Sequence, residues 1–151
     1  MLTKTIDTDE YVFVLKELVE QEKEVSVCIA GNSMFPFLVH QRDMISFKKP
    51  KQPLCRGDMV FYQRESGQYV MHRIYKICSE GYYLIGDAQS TIEGPLSEKQ
   101  IFAVVTKVQR NGKWIGPEKL LWKFFAYIWI RIVPVRRMIL KGYSVFIRKG
   151  R

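Results

Sequence analysis

Apolar residues fall in two different periods along the chain. Over residues 9–23, DEYVFVLKELVEQEK, they recur every three or four positions: Tyr11, Val14, Leu15, Leu18 and Val19 share one stripe, and Glu17, Glu20 and Lys23 face away. That period predicts an amphipathic helix. Asp7 is its expected N-cap, with Glu10 three positions on as in a capping box. From Val25 the pattern shortens to β-type runs broken by Gly, Pro and polar turns: VSVCIA, DMISF, DMVFYQR, YVMHRIYKIC, GYYLIG and IFAVVTKVQR. Ser66, Gly67 and Gln68 separate two of these runs, Glu80 and Gly81 another two, and Asn111-Gly112 should close a hairpin onto a returning KWI. Short strands at this spacing predict a mainly β, compact antiparallel domain.

After Gly116 and Pro117 the texture changes again. Residues 120–133 are strongly apolar and aromatic, but Lys123 and Arg131 interrupt them and Pro134 ends the run. A membrane-spanning helix needs ~20 predominantly apolar residues, so the segment reads as a basic amphipathic helix lying in a membrane interface. Trp122, Phe124, Phe125 and Trp129 are its expected apolar contribution. A C-terminal helix packed on the β domain is the other reading. The expected organisation is an N-terminal amphipathic helix (1–24), a β domain (25–118) and a membrane-associating tail (119–151).

Charge sharpens this division. The 151 residues carry a formal net charge of +9. All fifteen acidic residues and fifteen of the basic ones precede residue 119, so residues 1–118 are neutral and residues 119–151 hold the whole excess. A neutral body with a basic tail calls for an anionic partner at the tail, here an anionic membrane surface. Three cysteines without a CxxC pair argue against a disulfide framework, and no metal-ligand spacing is present. With no signal-type N-terminal segment, the chain is expected at the cytoplasmic face of a membrane. Length alone predicts one domain's worth of core.

Candidate chemistry enters at GNSMFP, residues 31–36. Gly31 and Asn32 are turn formers, while Pro36 fixes its own φ and favours an extended Phe35. Ser33 therefore sits on a bent segment that can present its hydroxyl, although an ordinary turn accounts for these six residues equally well. A serine hydroxyl needs a base before it becomes a good nucleophile. The chain offers two histidines: His40 near a turn and His72 mid-strand in YVMHRI. LIGDAQ then ends a strand with Asp87 at its tip. A Ser–His–acid set works in any chain order, and Ser33, His72 and Asp87 can supply one.

Taken in order, GNSMFPFL, CRGDMVFY, VMHRI and LIGDAQ resemble the signal peptidase I and LexA-like serine peptidase clan over about residues 25–110. The H-R motif resembles the histidine-base subtype found in endoplasmic-reticulum, archaeal and spore-former enzymes. The resemblance implies a β-ribbon fold, Ser33 as nucleophile, His72 as base and Asp87 as acid. Glu93, six residues after Asp87, stands where a second acid often occurs and is the possible supporting acid. Ala88 replaces the asparagine of the G-D-N box, and Gly31 replaces an oxyanion-supporting serine, so backbone N–H groups such as that of Ser33 are left to stabilise the oxyanion. Arg73 is expected to be structural or substrate-docking, and Gly57-Asp58 to form a tight turn. The implied activity is a serine endopeptidase that removes a leader or signal segment from a peptide or preprotein without a cofactor. The alternative is a non-catalytic, decayed protease fold that binds peptides by strand addition. No nucleic-acid partner is expected, since the body lacks a helix-turn-helix pattern and paired stacking aromatics.

Overall fold

A computed structural model describes residues 8–150. The expected Asp7 cap lies outside them. Helix α1 (Thr8–Glu20) leads into eight strands: β1 (Val25–Cys28), β2 (Met44–Lys48), β3 (Met59–Gln63), β4 (Tyr69–Cys78), β5 (Gly81–Ile85), β6 (Glu93–Leu96), β7 (Ile101–Arg110) and β8 (Lys113–Ile115). They form one antiparallel sheet in the order β1-β2-β7-β3-β4-β5-β6, with β8 folded back on β7. The protein is thus mainly antiparallel β, with a few helices. All three expected turns join antiparallel neighbours: 66–68 links β3 to β4, 80–81 links β4 to β5, and 111–112 links β7 to β8.

Strand β6 has no counterpart among the expected runs. Its sequence, EGPL, contains Gly94 and Pro95, which normally argue against a strand. Proline is tolerated because β6 ends the sheet and, among the described residues, pairs with β5 alone.

The core lies on both sides of the sheet. The larger cluster gathers Leu15 and Val19 of α1, Met34, Phe37 and Leu38 of the 31–38 segment, Ile45 and Phe47 of β2, and Val105 and Val108 of β7. Helix α1 turns Val12, Leu15 and Val19 inward, whereas Tyr11 and Val14 of the expected stripe are exposed. The smaller cluster contains Val60, Tyr62, Ile74, Leu84, Leu96 and Ile101.

The C-terminal segment supplies the largest departure from expectation. It breaks into α2 (Leu120–Lys123), a wide turn (Phe124–Ile128), a tight turn (Trp129–Arg131) and α3 (Val133–Lys149). Pro134 does not end structure here; it occupies the first turn of α3, where its missing N–H costs nothing. Trp122, Phe125 and Trp129 are buried in the larger core cluster and are not free to meet lipid. Their spacing explains this, since positions 122, 125 and 129 share one face: Trp122 and Phe125 pack on Phe37, and Trp129 packs on Phe125. Phe124 remains partly exposed. Gly57 shows how closely this segment is held: at φ +95°, a Cβ there would lie 2.7 Å from the Ala126 carbonyl oxygen. Among the described residues, no helix is long and apolar enough to cross a membrane.

Candidate active site

Ser33 and His72 line one cleft of about 370 Å³, walled by α1, β1, residues 29–34 and the first half of β4. The Ser33 turn is fixed from both sides. The Gly31 N–H donates to His40 Nδ1 at 2.7 Å, so the second histidine braces the turn. The Ser33 carbonyl accepts from the Ala88 N–H at 2.9 Å, and a Cβ on Gly86 would come within 2.6 Å of that oxygen. Only glycine allows residues 86–88 to lie this close against the serine. No hydrogen bond joins the Ser33 hydroxyl to His72 among the described residues; such contacts are commonly long without substrate and close on it.

His72 is 3% exposed and is reached through the pairing of β3 with β4. The register sets Val60 opposite His72 and Tyr62 opposite Val70, which makes Tyr62 and His72 diagonal neighbours on one face. The Tyr62 hydroxyl lies 3.1 Å from His72 Nδ1 and donates to Glu93 Oε2 at 2.5 Å. A phenol has one proton. With that proton donated to Glu93, the phenol oxygen can only accept from His72, which places the histidine proton on Nδ1 and leaves Nε2 as a bare acceptor. This is the tautomer a base for Ser33 requires. Glu93 is held in turn by Arg64, whose Nε and Nη2 donate to Oε1 and Oε2 at 2.7 and 2.9 Å.

Electrostatics follow this chain. Burial lowers the His72 pKa to about 4, against the upward pull of Glu93, so the ring is neutral near pH 7. The Arg64 hydrogen bonds hold the Glu93 carboxyl below the usual range. Burial first, and then the bond to Glu93, raise the Tyr62 phenol. Tyr62 therefore stays protonated and able to bridge.

Asp87 lies elsewhere than expected. It is fully buried and forms a two-pronged pair with Arg73, Nε to Oδ1 and Nη2 to Oδ2, both 2.9 Å, with no hydrogen bond to His72. The physical reason is strand parity. Consecutive residues of β4 point to opposite faces, so a carboxylate that meets Arg73 is turned away from His72. Arg73 also donates to the Gly57 carbonyl at 2.9 Å. Asp58 accepts from the Cys55 N–H at 2.8 Å, closing the tight turn expected there. Asp87 thus ties the loop of residues 86–89 to Arg73, while Glu93 reaches the histidine through Tyr62.

Tyr62 and Arg64 belong to none of the motifs that point to Ser33, His72 and Asp87, although their positions in DMVFYQR carry a usable signal. Both lie on the strand expected to pair with YVMHRIYKIC, two residues apart and hence on one face. No family model matches the chain, and no curated protein or solved structure matches it.

Proposed function

We propose that the protein is a serine endopeptidase of the signal-peptidase type, on the β-ribbon fold of that clan, with Ser33 as nucleophile and His72 as general base. One observation carries this reading: the Glu93–Tyr62–His72 chain leaves Nε2 as the free ring nitrogen of a histidine sharing the Ser33 cleft. The ordered SMFP, HR and GD motifs support it.

The reaction uses this chain's groups directly. Ser33 Oγ adds to the scissile carbonyl carbon as its proton passes to His72 Nε2. Backbone N–H groups meet the oxyanion, and that of Ser33 donates to no group among the described residues. His72 returns the proton to the leaving amine as the C–N bond breaks, leaving an ester on Ser33. Water, deprotonated by His72, then hydrolyses the ester to a free acid and restores the hydroxyl. Glu93 acts through Tyr62 by holding the ring and favouring the transient imidazolium. Asp87 and Arg73 position the turn without entering the chemistry.

An extended peptide suits the cleft. Among the described residues, strand β1 pairs with β2 alone and β4 pairs with β5 only from Arg73 onward, so residues 69–72 have an open edge there on the same cleft. Main-chain bonding to these edges would hold a leader segment in register. We place the site at an anionic membrane surface. The outward side of α3 exposes Met138 and Phe146 beside Arg137, Lys141 and Arg148, and a basic side chain near such a leaflet is worth ~1 kcal/mol.

Incubation with a peptide library, read by mass spectrometry, tests the reading. Wild-type protein should cut a subset of sequences, whereas Ser33→Ala and His72→Ala should cut none. Equal cutting by Ser33→Ala would refute the assignment. A folded wild type that retains peptides without cutting them would favour the binding-module alternative.

A further inference from the structure

Residues 86–89 touch Ser33 on one side and the C-terminal segment on the other. Toward Ser33, the Ala88 N–H holds the serine carbonyl. Toward the tail, the Trp129 Nε1–H donates to the Asp87 carbonyl at 2.8 Å. Arg136 Nη2 donates to the Gly86 carbonyl at 2.9 Å and to the Gln89 carbonyl. Three consecutive backbone groups of the loop, and one more beyond them, are therefore committed to Ser33 or the tail. Arg136 is completely buried, and its Nε and Nη1 have no partner among the described residues. Burying an arginine in this way is costly in solvation, so its place is hard to explain as packing alone. From the same helix, Tyr143 sets its ring 5.9 Å from that of Phe35, two residues after the serine.

We infer that Arg136 and Trp129 are positioning residues for Ser33: through the carbonyls of residues 86–89 they hold the loop on which the nucleophile turn rests. The inference depends on the peptidase reading. It extends that reading by making the C-terminal segment part of the machinery that sets the serine's geometry. Neither residue lines the cleft, so both act on the rate of bond formation and leave substrate occupancy alone.

Fluorophosphonate capture of Ser33 in the full chain separates these effects, because the saturating rate and the half-saturating concentration are read independently. Each rate is normalised to the folded fraction from thermal melting. Arg136→Gln should lower the saturating rate ~10–100-fold, the cost of a small misplacement of a reacting atom, with the half-saturating concentration unchanged. Trp129→Phe keeps an aromatic side chain but loses the N–H donor together with the pyrrole half of the indole, and should lower the rate at least about fivefold, the equivalent of one hydrogen bond. Wild-type rates in both variants would overturn the inference while leaving the peptidase reading intact. A folded wild type that takes no label on Ser33 would overturn both. Should Arg136→Gln fail to melt cooperatively, Trp129→Phe decides: a reduced rate supports the positioning role, and an unchanged rate refutes it.

Discussion

Replacing Tyr62 with phenylalanine removes one oxygen and tests the link between Glu93 and His72. The ring and its packing in the smaller core cluster are retained. Glu93 keeps both bonds from Arg64, so the acid stays satisfied. His72 Nδ1 loses its partner in a site 3% exposed. An orphaned buried donor costs ~1–3 kcal/mol, which sets the expected loss of folding stability. The catalytic cost is separate. Without the phenol the imidazole is free to place its proton on Nε2, where it cannot accept from Ser33. General-base catalysis contributes ~10²–10⁴-fold, and partial loss of the correct tautomer should remove ~10–100-fold of it. Nitrogen-15 spectra of labelled histidine read the tautomer directly, and with only two histidines in the chain the assignment is simple. In the wild type His72 should carry its proton on Nδ1, and in Tyr62→Phe that preference should weaken as the cleavage rate falls. A wild-type His72 protonated on Nε2, or an unchanged rate in the variant, would refute the relay.

The depressed pKa of His72 makes two linked predictions. Cleavage should persist below pH 6 and fail only as pH falls toward about 4, where the base becomes protonated. Because the unfolded histidine titrates near its ordinary value, the unfolded chain binds more protons between about pH 6.5 and 4. Stability should therefore fall by ~3 kcal/mol across that window, a slope that is removed in a folded His72→Gln and is measurable by denaturant unfolding. Asp87→Asn breaks a fully buried ion pair and should cost ~3–5 kcal/mol of stability, with nitrogen-15 spectra showing the His72 tautomer unchanged in the protein that remains folded. In flotation with anionic vesicles, Met138→Glu combined with Phe146→Glu should reduce binding without shifting the melting temperature, since both side chains are exposed; unchanged binding would reject α3 as the docking face. Truncation at residue 119 should unfold the body, because it removes Trp122, Phe125 and Trp129 from the core.

The strands, their hairpins and the N-terminal helix were legible because each rests on local rules: period, turn chemistry and β-rich runs. β6 was not, since its glycine and proline are acceptable only at the end of a sheet, and that place is a property of the whole topology. Ser33 and His72 were recognisable as residue types in ordered motifs, and the structure brings them to one cleft. Asp87 stood out as the carboxylate at a strand tip, but sequence distance does not say which face it meets. Parity along β4 does, and it gives Asp87 to Arg73. Tyr62 reached its role through cross-strand register, which depends on the pairing of β3 with β4. The placement of Trp122, Phe125 and Trp129 was not legible for a different reason: an aromatic basic segment has the same composition whether these side chains meet lipid or the protein's own Phe37. Only their pairing with the core separates the two.

The most direct test of the central claim, that His72 activates Ser33 for covalent chemistry, is the intact mass of the protein after exposure to a fluorophosphonate. The wild type should gain one adduct, mapped by peptide fragmentation to Ser33; Ser33→Ala should gain none, and His72→Ala should gain it orders of magnitude more slowly. An adduct on a different residue, or capture by Ser33 at an equal rate with and without His72, would contradict the account.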